Sequence, residues 1–177
     1  NNLQNYVPLY EKFFVLNDSN YNNINLNHKF SVSNISERTN FNNLQCTLSN
    51  STDLSEINSN VFVKFSPLLD PIKYLVGKYD HTDVNIFNLP KINDSQLCHD
   101  KLKNPYNSAY TDSFFSFLTS RLLHDQGFIH GLDFYGSFLA NLKDYKVNIF
   151  DDIEYLSESP FFNEHKNSLF TIDENYY

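Results

Sequence analysis

The chain has 177 residues, 41% of them apolar and 16% aromatic, with a formal charge of −8 and a pI near 5.1. A chain of this length buries roughly two thirds of its unfolded surface, fits one domain, and needs no disulfide or metal to stay folded. The acidic total, the two arginines (Arg38 and Arg121) and the lack of any run of basic residues argue against nucleic acid as a partner, and no stretch is long and apolar enough for a membrane-spanning helix.

Residues 1–60 are dense in Asn and Ser, with short apolar runs at Tyr6–Tyr10, Phe13–Leu16 and Lys29–Val32. Such runs between polar clusters predict short strands or an irregular arm, because Asn and Ser compete with the backbone for hydrogen bonds inside helices. Val61 to Phe65 is β-branched and aromatic and predicts a strand. Asp70-Pro71 opens a short helix through Ile72, Leu75, Val76 and Tyr79. Val84 to Leu89 predicts a second strand, ended by Pro90. The strongest element is a long helix over residues 108–126, with Phe114, Phe115, Leu118, Arg121 and Leu122 at helical spacing, and Gly127 as its left-handed stop. Phe128 to Leu139, a turn at Lys143-Asp144-Tyr145, and Lys146 to Phe150 predict a hairpin. Asp151-Asp152 begins a short helix through Leu156, and Pro160 begins another across Phe161–Leu169. The expected fold class is α+β: a small mixed or antiparallel sheet packed with the long helix and short C-terminal helices. Residues 1–60 form an arm or short-strand segment, and residues 61–177 a compact domain.

Asparagine is the compositional outlier, with 26 residues, and Tyr and Phe carry the core in place of Trp and Met. The bias matches an AT-rich genome. Cys46 and Cys98 are the only cysteines and lack metal spacing, so reduced thiols in a reducing compartment are expected. Glycosylation motifs such as those at Asn17, Asn34 and Asn50 arise by chance at this asparagine content. The polar start at Asn1–Asn5 lacks a secretory pattern, and the missing initial Met suggests a piece of a longer product. The expectation is an intracellular chain, not a secreted one.

Three constellations could carry chemistry. Lys64, alternating with apolar residues ahead of a helix, occupies the kind of position from which a kinase lysine reaches nucleotide phosphates and a helix glutamate. The nearest acid on a following helix is Asp112, and no glycine precedes Gly77 to build a phosphate-cradling loop. An edge-strand lysine with its head in water is the plainer reading. His130-Gly131-Leu132-Asp133 partly matches a catalytic turn with Asp133 as base, but Leu132 interrupts it and Asn141 lies too far on to bind a metal. A hydrogen-bonded pair of strand residues is the alternative. Asp151, Asp152 and Glu154 offer oxygen ligands to a divalent cation, or simply favour a helix N-terminus. The aromatic N-terminal arm and Tyr176-Tyr177 are candidates for contact with another chain.

Three segments carry a resemblance: residues 62–74, Phe-Val-Lys-Phe-Ser-Pro-Leu-Leu-Asp-Pro-Ile-Lys-Tyr; residues 107–116, Asn-Ser-Ala-Tyr-Thr-Asp-Ser-Phe-Phe-Ser; and residues 129–138, Ile-His-Gly-Leu-Asp-Phe-Tyr-Gly-Ser-Phe. They resemble uncharacterised proteins encoded by giant nucleocytoplasmic large DNA viruses, some of them labelled kinase-like. The resemblance covers about residues 61–170. It implies a viral protein of the host cytoplasm or the virion, with other protein chains, viral ones among them, as partners. The expected function is a non-catalytic interaction or structural domain without a cofactor. The alternative is the N-terminal fragment of a kinase-like phosphotransferase using Mg-ATP, with Lys64, Asp133, Asp151 and Asp152 as its working residues.

Overall fold

The computed structural model describes residues 3–27, 29–92 and 97–173. Tyr176-Tyr177 lies outside them. The sheet comes early, as an antiparallel meander of three strands: β1 (Phe30–Arg38), β2 (Asn43–Asn50) and β3 (Glu56–Phe62). Leu44, Cys46 and Leu48 alternate with polar residues along β2, so one face of the sheet is apolar and the other is Asn- and Ser-rich. Cys46 and Leu48 are fully buried, whereas Val32, Ile35 and Ile57 on the outer strands stay largely exposed. β1 slips register twice against β2, between Val32 and Asn34 and between Ile35 and Glu37, while β3 pairs with β2 without a break.

The helices follow. Asp70 accepts hydrogen bonds from the amides of Ile72 and Lys73 and starts α1 (Pro71–Leu75). After α2 (Asp100–Lys103), Asn107 caps α3 (Ser108–Gln126), and its side-chain amide also donates to the carbonyls of Leu68 and Lys101. Gly127 ends α3 at φ 70°, a left-handed conformation that costs glycine nothing. Asp152 precedes α4 (Ile153–Ser157) without a side-chain capping bond, and Ser159 caps α5 (Pro160–His165). The architecture is α+β: a small antiparallel sheet, one long helix and short C-terminal helices.

Two clusters form the core, the first rich in aromatic residues and the second mainly aliphatic. In the first, Val7, Leu9 and Tyr10 of the N-terminal segment close over Tyr110 of α3, joined by Phe14, Leu68, Phe114 and Leu139. Phe13 stacks on Phe114 with ring centres 4.5 Å apart. Gln4 and Leu139 exchange both backbone hydrogen bonds, which fixes this segment in place. The second cluster joins Leu75, Leu156 and Phe162, with Ile72, Val76, Ile149 and Phe170 around them.

Several expected strands are corrected. Of Val61 to Phe65, Val61 and Phe62 end β3 and Lys64 lies beyond it. Val84–Phe87 is a 3-10 turn, because the Asp83 carboxylate caps the amide of Asn85 and no strand lies alongside. Residues 128–139 and 146–150 form no ladder together. The first of these segments lies on α3 instead. Its Gly131 is pressed against the Thr119 carbonyl, and the Phe134 amide donates to Ser120 Oγ at 3.0 Å. The Phe134 amide, which a partner strand could have satisfied, is thus met by the helix. The helix from Pro160 ends at His165 rather than Leu169.

Candidate functional site

Two of the predicted site residues, Lys64 and Asp133, each pair with a side chain of α3, one near each end of the helix. Lys64, two residues past β3, reaches Asp112 in the first turns of α3, with Nζ 2.6 Å from Oδ2. Their side chains are 64% and 47% exposed, so the pair sits in water, where such bridges contribute little. One turn before Gly127, His124 Nε2 meets Asp133 Oδ1 at 2.5 Å. Tyr135 donates to the other Asp133 oxygen at 3.4 Å, and burial together with that carboxylate raises its phenol above the usual range. The predicted partner of Asp133, His130, instead packs edge-on against Phe128.

Lys64 and Asp133 therefore sit in separate pairs, and no hydrogen bond or ion pair joins Lys64 to Asp151 or Asp152. The two acids lie at a 3-10 turn (Phe150–Asp152) leading into α4, where their charge favours the helix N-terminus. Among the described residues, no three His, Cys, Asp or Glu side chains gather as a metal ion requires. Asn141 donates to the Phe87 carbonyl, away from Asp133.

A small cleft of about 170 Å³ is lined by Tyr6 and Glu11 of the N-terminal segment and by Pro90, Lys91, Cys98 and Lys103. Tyr6 is buried and donates to the Glu11 carboxylate; burial first, then that hydrogen bond, pushes its phenol well above the ordinary value. Cys98 stays a thiol and donates to the Asn88 carbonyl at 3.1 Å. Tyr6, Glu11 and His124 do not stand out in the sequence. His124 lies seven residues after Phe117, which places both on one helical face, and that spacing is the signal that could have found it.

The most extensive feature is apolar surface. Tyr110, Phe114, Phe117 and Ser120 face inward from α3, whereas Phe115, Leu118 and Leu122, at i, i+3 and i+7, form an outward stripe 65%, 43% and 47% exposed. Ile129 and Leu132 on the following segment are also exposed.

No protein-family model, no curated protein and no solved structure matches this chain. No helix among the described residues is long and apolar enough to cross a membrane.

Proposed function

We propose that this chain is a non-catalytic interaction domain that binds other protein chains through the outer face of α3. The resemblance of residues 61–170 to large-DNA-virus proteins supports reading it as a structural, virion-associated domain of the host cytoplasm or the virion. The observation that carries the reading is the stripe of Phe115, Leu118 and Leu122, which leaves large apolar side chains facing outward along a well-capped helix. Contiguous apolar surface of this kind marks protein interfaces. A benzophenone side chain introduced at Leu118 in the full polypeptide tests it. Illumination in cells yields a discrete protein adduct at that position and none at the exposed Glu158. Equal yields at both positions, or none at either, refute the reading.

One observation favours a second reading, the N-terminal fragment of a kinase-like phosphotransferase that uses Mg-ATP. Lys64 meets a carboxylate on the long helix, as a phosphate-pairing lysine does. In this reading Asp133, Asp151 and Asp152 supply the catalytic and metal-holding acids. Thermal melts with Mg-ATP decide between the two. A rise of several degrees that disappears in Lys64→Ala favours the enzyme, and no rise favours the interaction domain.

A further inference from the structure

We infer that β3 is a self-pairing edge, through which two copies of this chain join their sheets into one of six strands. The direction of the free backbone groups follows from the bonds flanking the ladder. Asn50 donates to the Ser55 carbonyl at 2.8 Å, and Val63 donates to the Asn42 carbonyl at 2.6 Å. Hydrogen-bonded pairs alternate along an antiparallel ladder, so Ile57, Ser59 and Val61 direct their backbone groups at β2. Glu56, Asn58, Asn60 and Phe62 direct theirs outward.

Proteins blunt open edges with bulges, prolines or lysines. β1 has two register shifts, and it ends on Glu37-Arg38. β3 has no bulge, no proline and no lysine across Glu56-Ile57-Asn58-Ser59-Asn60-Val61-Phe62. This unprotected edge invites another strand, and its sequence says which one. Ile57-Asn58-Ser59-Asn60-Val61 reads apolar, amide, hydroxyl, amide, apolar in both directions.

A two-fold axis through Ser59 sets Asn58 opposite Asn60 of the second copy, and Glu56 opposite Phe62. Both are hydrogen-bonded pairs built from outward-facing residues, so all eight edge residues of the two strands are satisfied. Ile57 then meets Val61 of the second copy on the apolar face, where Ile57 is 47% exposed in the single chain. Moving the axis to Asn58 or Asn60 keeps the bonding parity but sets Ile57 or Val61 opposite Ser59. The centred register alone matches like with like across Ile57 to Val61, and only Glu56 and Phe62 at the ends are unlike. The contact is isologous, the commonest kind in homodimers. It is also small, well below the roughly 1,200 Å² of a standard interface, so the dimer assembles at tens to hundreds of micromolar.

This inference deepens the interaction reading by naming a partner, yet it uses a different element, so each can fail alone. Sedimentation velocity across that concentration range is the test. The wild-type mass rises from 20.8 kDa toward twice that value. Asn58→Pro removes an outward amide and leaves the backbone ladder to β2 intact, losing only the exposed bond from Thr47 Oγ1 to the Asn58 side chain. It weakens the dimer on the order of thirtyfold, with an unchanged circular dichroism spectrum. A second pair of variants guards against misfolding. Asn58→Lys with Asn60→Lys, and Asn58→Glu with Asn60→Glu, are each monomeric alone through like-charge opposition, and they dimerise when mixed. A wild-type chain that stays monomeric throughout overturns the inference and leaves the crosslink at Leu118 to judge the α3 face. So does a dimer that persists in Asn58→Pro, or a mixture of the charged variants that fails to pair.

Discussion

Gly131→Ala distinguishes a segment docked on α3 from the hairpin strand that its aromatic run suggests. A Cβ built at Gly131 lies 2.5 Å from the Thr119 carbonyl oxygen and 3.0 Å from Leu123 Cβ. Thr119 belongs to the middle of α3, whose backbone cannot swing aside, so the segment from Phe128 must lift. Overpacking of this kind costs about 1–3 kcal/mol. Lifting also strains the bond from the Phe134 amide to the fully buried Ser120 hydroxyl, worth about 1 kcal/mol. The expected loss is about 2–4 kcal/mol, a fall in Tm of roughly 4–16 °C for a domain of this size. In a strand the sign reverses, because replacing an interior glycine by alanine stabilises by roughly 0.5–1 kcal/mol. Urea unfolding followed by far-UV circular dichroism measures it. Ser120→Ala should couple to Gly131→Ala in a double-mutant cycle, since both loosen one contact. A Gly131→Ala chain as stable as wild type, or more so, refutes the docked arrangement.

Stability should also fall steeply in alkali. Burial raises the phenols of Tyr6, Tyr10 and Tyr110 above their usual value, so the folded chain keeps protons that the unfolded chain releases near pH 10. The contribution is therefore complete below about pH 10 and is lost as pH rises beyond it, at up to about 1.4 kcal/mol per pH unit for each tyrosine. Urea midpoints at pH 9 and 11 test this, and Tyr110→Phe should reduce the slope; equal midpoints would be evidence against the buried phenols. Lys64→Ala should cost less than about 1 kcal/mol, because its bridge to Asp112 is exposed, and a larger loss in the same melts would place that pair in a drier setting than its geometry gives.

The helices were legible because their signals are local. Asn107 and Gly127 bound α3, Asp70-Pro71 starts α1, and each acts through bonds within a turn or two. The sheet was harder to read. Leu44, Cys46 and Leu48 do alternate along β2, but Asn and Ser fill its polar face and both flanking strands, and these residues depress strand propensity. The misread strands have the opposite cause. Phe128 to Leu139 is rich in aromatic residues, and a continuous apolar run does not say whether it will pair with a strand or lie on a helix. Of the site pairs, the sequence offers Asp112 only as the helix acid nearest Lys64 and does not itself predict that the two meet. His124 with Asp133 depends on how the chain turns at Gly127, and no periodicity encodes that turn.

The same composition links this fold to association. The apolar content gathers in two modest clusters, and the meander is buried only along its central strand. Among the exposed apolar features are a helix stripe and a strand edge, on two different elements. A dimer through β3 covers backbone and a few side chains and leaves Phe115, Leu118 and Leu122 untouched. Its two-fold axis would then present two copies of that stripe to further partners. A bivalent display gains avidity without any new contact, provided both stripes can be engaged at once. Pairing at β3 and the binding proposed for α3 are therefore compatible in one molecule. Loss of the β3 contact should lower partner affinity for the assembly while leaving the affinity of a single α3 face unchanged.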